Sequence, residues 1–190
     1  MYFGARIGFN TDVGCYKMRT YSKFILLVIF SFPSNISFGQ SKHDFLQRIV
    51  DTANDQYGYV NTNGDTTIPF NKYTICYTDK FYNFAIVSTH DKGIIGIDRN
   101  EQILFNVYVF DNGPDYPSNG LFRIVKSGKI GYADNNGNII IQPQFDGAYP
   151  FKNGKAKVGQ GCTTQKEGEH SSWTGGHWFI IDKKGRVFKK

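Results

Sequence analysis

The sequence predicts an all-β fold: tandem antiparallel β-hairpin repeats forming a small curved array, preceded by a short N-terminal capping helix. Three observations carry that expectation. A stretch of short β-rich runs and tight turns at residues 129–158, KIGYADNNGNIIIQPQFDGAYPFKNGKAKV, recurs in blurrier form three more times. Its anchor residue is Asn61, Asp98, Asp134 and Asp182 in successive copies, separated by 37, 36 and 48 positions. Finally, residues 41–53 place Phe45, Leu46, Ile49, Val50 and Ala53 on one helical face behind a Ser41/Asp44 capping-box-like start, as a cap over the first repeat would.

In the sharpest copy, Ile130, Tyr132 and Ala133 supply a strand and Asp134-Asn135-Asn136-Gly137 a turn whose glycine can take positive φ. Ile139, Ile140 and Ile141 then supply the returning strand. Pro143 is expected to end backbone pairing because it has no N–H to donate. Phe145, Tyr149 and Phe151 offer large apolar faces, and Asn153-Gly154 turns the chain into a strand over residues 155–158.

The N-terminus reads differently. Arg19 and Lys23 follow Met18, an apolar run fills residues 24–32, and Pro33 and the small-residue site Ser37-Phe38-Gly39 come next. That is the order of a secretory signal peptide cleaved after Gly39, with Met18 as the expected start. Nine apolar residues fall well short of the roughly 20 that span a bilayer as a helix, so no integral membrane segment is expected in the mature chain. Export would place the protein in the periplasm, the cell envelope or the medium.

Removing residues 1–39 takes away Arg6, Lys17, Arg19, Lys23 and Asp12, which lowers the formal net charge from +6 to +3. With no basic cluster interleaved with aromatics, nucleic acid is not an expected partner. Cys76 and Cys162 remain, an even number in an oxidising compartment. They form a disulfide candidate, set against their separation in a linear stack of repeats.

The expected domains are therefore residues 1–39 (non-mature), 40–54 (capping helix) and 55–188 (repeats). The four repeat units are 55–90, 91–125, 126–176 and a truncated 177–188. Unit one carries Gly58 and its turn glycine Gly64. Unit two carries Gly96, with Glu101 where a turn glycine stands elsewhere. Unit three carries Gly131, Gly137, Pro143 and Gly154, and unit four Trp178 and Gly185. The polar, glycine-rich stretch 159–176 shows no strand period and reads as an inserted loop, with a smaller one at 111–120.

Chemistry is thinly represented. Cys162, His170 and His177 with Glu167 or Glu169 have zinc-type donors but none of the short ligand spacings, so no metal and no cofactor is assigned. His170 beside Ser171 and Ser172 lacks triad context, and the Asp111/Asp115 pair is accounted for by turn chemistry. The chain is expected not to be an enzyme. Among the aromatics, Trp173 and Tyr116 sit in or beside the loops and are the binding candidates.

The patterns Gly131-Tyr132-Ala133-Asp134-x-x-Gly137, Ile141-x-Pro143-Gln144-Phe145-Asp146-x-Ala148 and Phe151-x-x-Gly154-x-Ala156-x-Val158 resemble the WG repeat, with Ile130 at the family's tryptophan position. Such repeats occur mostly in bacterial proteins. The resemblance implies a binding or scaffolding surface with no common reaction. The expectation is a non-catalytic exported module that binds a protein or peptide through its inserted loops. The alternative is an envelope glycan-binding module, and the remote alternative a metal-dependent hydrolase.

Overall fold

The computed structural model describes residues 44–167 and 170–188. The expected signal peptide, the start of the expected cap and the Lys189-Lys190 end lie outside them. The described chain is all β, and its strand pairings are antiparallel.

It is built from four units, the first three with three main strands each and the fourth with two. The first is β1 (Leu46–Asp51), β2 (Gln56–Val60) and β3 (Thr66–Tyr73), followed by the short strands β4 (Ile75–Cys76) and β5 (Lys80–Phe81). Unit two is β6 (Phe84–Thr89), β7 (Gly93–Asp98) and β8 (Ile103–Val107), followed by the small hairpin β9 (Val109–Phe110) and β10 (Gly113–Pro114). Unit three is β11 (Leu121–Lys126), β12 (Lys129–Asp134) and β13 (Ile139–Phe145), followed by β14 (Gly147–Ala148). Unit four is β15 (Lys155–Glu167) and β16 (His170–Asp182), closed by a bridge from Ile181 to Val187. Units two and three merge through β8–β11 pairing into one seven-stranded sheet, β13-β12-β11-β8-β7-β6-β4. Unit one forms β3-β2-β1-β5 and unit four β14-β15-β16.

The structure corrects two expectations. The helix is replaced, over its described part, by strand β1, which pairs with β2 from Gln47↔Val60 to Asp51↔Gln56. Without β1, β2 would leave a row of unpaired N–H and C=O groups, and closing that edge outweighs a helical period spanning little more than two turns. Beside these corrections, the strands at 84, 121 and 155 each pair with the strand that follows them. Strand starts at 46, 84, 121 and 155 are 38, 37 and 34 residues apart. Finally, residues 159–167 and 170–176 are not a loop. They are the extended arms of β15 and β16, paired in register from Lys155↔Asp182 to Glu167↔His170, so the fourth unit is lengthened rather than truncated.

The anchor residues do one job four times. Asp134 Oδ1 accepts the amides of Asn136 and Asn138, both at 2.9 Å. Asn61 holds Asn63 and Asp65 in the same way, Asp98 holds Asn100 and Gln102, and Asp182 holds Lys184 and Arg186. Each turn then needs positive φ three residues after its anchor, which Gly64, Gly137 and Gly185 supply at +90°, +82° and +78° and Glu101 at +60°. Asn153-Gly154 makes a two-residue turn of the other kind, with positive φ at both positions and a Lys152–Lys155 bridge.

Gly58 and Gly131 share a setting, which Gly96 does not. A Cβ on Gly58 would lie 2.7 Å from the Ile68 carbonyl oxygen, and one on Gly131 would strike the Ile141 carbonyl. Both glycines sit where the next strand bulges toward them. Pro143 lies in that bulge and does not end the strand: β13 continues to Phe145, because a bulged residue owes no ladder bond. Gly96 stands one position nearer its anchor and makes room for the Phe84 and Phe105 rings instead. Its equivalents by register are Tyr59 and Tyr132, both buried, whose hydroxyls donate to the Thr78 and Tyr149 carbonyls at 2.7 Å.

Candidate functional site

Strand alternation divides the residues of β15 and β16 between two faces. Ala156 and Val158, with Phe179 and Ile181 opposite them, turn inward onto the core that holds Tyr132, Ile141 and Phe151. Lys155, Lys157 and Gly159, with Asp182, Ile180 and Trp178 opposite them, form the outer face.

That outer face is covered by aromatic rings. The Trp178 indole lies over Gly159, where a Cβ would come within 2.9 Å of Cε2, and reaches Gly147, where a Cβ would lie 2.6 Å from Cη2. Trp173 lies over Gly147 as well, 3.0 Å from the same notional Cβ. Two buried glycines thus act as a floor that lets both rings settle against the backbone. Tyr149 packs edge-on to Trp173 at 5.4 Å between centroids and 5.7 Å from Trp178, which is itself 6.2 Å from Trp173. Tyr108 extends the cluster, 6.3 Å from Trp173. The Lys157 ammonium stands 5.1 Å from the Trp178 ring and 5.9 Å from Tyr149.

The ribbon's own geometry delivers Trp173 to this place. Gly161, Gly175 and Gly176 take φ near +69°, and a Cβ on Gly176 would collide with the backbone of Gln160–Cys162. The two arms touch through backbone there, which only glycine permits. Trp178 Nε1 donates to the Gly175 carbonyl at 2.9 Å and fastens the ring to that contact.

Under the cluster lies a buried ion pair. Arg123 donates from Nε and Nη2 to Asp115 at 3.0 and 2.5 Å and from Nη1 to the Ala148 carbonyl at 3.1 Å. The Asp115 side chain is 3% exposed and that of Arg123 4%. The guanidinium lies 4.1 Å from the Tyr108 ring and 5.7 Å from Phe110. Both carboxylate oxygens and three guanidinium nitrogens are engaged, which is what a buried charge pair requires. The pair ties the β9–β10 hairpin and β14 to β11, and so fixes Tyr108 and Tyr149.

The residues singled out from sequence are distributed as follows. Trp173 is half-buried in the cluster rather than standing free on a loop, and Trp178 shares its surface. Tyr149 is 44% exposed. Tyr116 is 70% exposed and makes none of the cluster's ring contacts. Cys76 and Cys162 are both free thiols. Cys76 is buried with the unit-one core, where desolvation pushes its thiol up to about 11, while Cys162 is half-buried on β15. Asp115, one of the two loop carboxylates, is committed to Arg123, and Asp111 sits at a positive-φ turn position.

Among the described residues, no group of three or more His, Cys, Asp or Glu is arranged to hold a metal. Two open clefts, of about 220 and 520 Å³, lie away from the aromatic face. One is lined by Thr78, Tyr82, Phe84 and Asn135, the other by Asp55, Lys72, Tyr73 and His90.

Sequence reasoning missed Tyr108, Arg123, Lys157, Gly147 and Gly159. For Arg123 a signal existed: LQRIV at 46–50 and LFRIV at 121–125 are the same strand repeated, each with an arginine inside an apolar run. The glycine floor left no such trace, because it is formed by cross-strand pairing at a register the sequence does not state.

Two segments of the chain, residues 57–92 and 130–161, match the WG containing repeat family. They begin at Tyr57 and Ile130, four positions before the anchors Asn61 and Asp134, and so contain the glycines Gly58 and Gly131 that share a setting. No curated protein and no solved structure matches the chain.

Proposed function

We propose that this chain is a non-catalytic, exported binding module that meets a protein or peptide partner through the outer face of its fourth unit. The observation that carries the proposal is the aromatic group Trp173, Trp178 and Tyr149, laid on a floor of two glycines and held by a buried ion pair. Large, rigid, partly exposed rings with a cation alongside give contact area at little cost in conformational entropy, the character of an interface hot spot. The export part draws on the charged, apolar and small-residue order of residues 19–39.

The test is affinity capture from envelope extract with the mature chain, followed by rebinding of the purified partner. Capture and rebinding should be lost in Trp173→Ala and Trp178→Ala; a partner retained by both variants contradicts the assignment of the face. N-terminal sequencing of the cell-made protein should begin at Gln40, and a chain starting at Met1 or Met18 contradicts export by cleavage.

A second reading, an envelope glycan ligand, draws on the same observation, since a flat indole face also stacks on a sugar ring. A glycan-array signal removed by Trp173→Ala, with no protein captured, would favour it.

A further inference from the structure

The outer face of unit four is asymmetric in charge. Lys155 and Lys157 project from it at alternate positions of β15, with exposed Lys152, Lys183 and Lys184 at the same end of the unit. None of these five lysines has an ion-pair partner among the described residues. The two aspartates nearby are taken, Asp146 by Lys129 and Asp182 by Arg186. Lys155 and Lys157 are instead held over rings, at 4.6 Å from Phe188 and 5.1 Å from Trp178. Along the strand the order is Lys155, Lys157, then the Trp178 ring over Gly159, successive places about 7 Å apart as alternate strand residues are.

We infer that the occupant of this face is an extended acidic segment of a partner protein. It carries carboxylates at alternate positions, which meet Lys155 and Lys157, followed by an apolar or aromatic side chain that meets Trp178 and Tyr149. An extended peptide has the same two-residue side-chain period as β15, so both charges and the ring are reached without bending the segment. The flanking lysines add long-range attraction that favours encounter. This inference rests on the binding role proposed for the face and adds the chemistry of its partner.

The test uses the mature chain and a synthetic peptide, Ser-Glu-Ser-Glu-Ser-Leu-Ser, with binding followed by anisotropy of a dye on the peptide. Comparison probes are the Gln-for-Glu peptide and polygalacturonate, an anionic polysaccharide. The acidic peptide should bind, and its affinity should fall by about tenfold or more between about 50 and 500 mM salt. It should fall by a similar factor in the Lys155→Glu/Lys157→Glu double variant and be kept in Lys155→Arg/Lys157→Arg. Both lysines are exposed, so these variants fold as the parent does.

Equal binding of the Gln peptide, unchanged affinity on charge reversal, preference for polygalacturonate, or no binding of the acidic peptide would each overturn the inference. The binding role itself is judged separately: a Gln peptide that binds equally and is lost in Trp178→Ala leaves the face in use and removes only the acidic partner.

Discussion

Units one and three are built from the same residues at the same places, yet only one of them carries a buried charge. Both open on an L-x-R-I-V strand, both set a glycine against the bulge of the next strand, and both bury a tyrosine whose hydroxyl donates to a carbonyl at 2.7 Å. In each, the strand arginine reaches a carbonyl in the connection that follows, Arg48 to Cys76 at 2.9 Å and Arg123 to Ala148 at 3.1 Å. There the likeness ends. Arg48 lies 3.7 Å from Asp79, with side chains 30% and 62% exposed, whereas Arg123 and Asp115 are sealed from water. The difference teaches that glycine, tyrosine and anchor turn specify the unit, while what covers the arginine depends on the neighbouring connection. In unit three that neighbour is the β9–β10 hairpin, preceded by Tyr108 at the edge of the aromatic cluster.

The largest test of that contrast is removal of each arginine's partner. Asp115→Asn should cost about 3–5 kcal/mol in a denaturant titration, since it strands a buried guanidinium, and Asp79→Asn about 0–1 kcal/mol, since water screens that pair. Equal costs would break the comparison. Next in size, Gly131→Ala and Gly58→Ala should each destabilise by about 1–3 kcal/mol or more, because backbone must move. Gly96→Ala presses on the Phe84 and Phe105 rings, which have rotameric freedom that a carbonyl lacks, and should cost less.

Smaller again, Tyr59→Phe and Tyr132→Phe should each lose about 1 kcal/mol with the hydroxyl bond, measurable as a matched fall in midpoint. The fourth test concerns acid. Partial desolvation pushes Asp134 up, but hydrogen bonds from the Asn138 side chain and from the Asn138 and Asn136 amides outweigh it and hold the carboxyl below its usual value. The stabilisation this brings is present above the unfolded carboxylate value and is lost as pH falls through the lower folded value. Asn61, in the same turn of unit one, cannot titrate. Asp134→Asn should therefore leave stability near neutral pH almost unchanged and shift acid unfolding to slightly lower pH; an unchanged acid midpoint would count against the turn's role.

The sequence carried the repeat, the four anchors and the positive-φ glycines because each depends on contacts a few residues apart. Asp134 and Asn138, or Asn153 and Gly154, need no knowledge of the rest of the chain. What it did not carry depends on pairing across distance. Residues 46–51 have a helical stripe of apolar side chains, and only the open edge of β2 makes them a strand. Residues 159–176 are polar and glycine-rich in sequence, so no alternation marks them, although 159–160 and 162–167 pair one by one with 177–178 and 170–175. Trp173 could be singled out as unexplained, but its neighbours Tyr108 and Tyr149 come from two other stretches of chain.

The two tryptophans of the chain, Trp173 and Trp178, both lie in the proposed contact face, so this chain's selectively excited tryptophan emission reports on that face. The most direct measurement is tryptophan emission of the mature protein, titrated with its purified captured partner. A saturable shift or quench that follows the binding isotherm, and whose amplitude falls by about half in Trp178→Phe, is the result expected of a partner seated on unit four. Saturating binding with unaltered emission would place the contact elsewhere on the molecule and contradict the account.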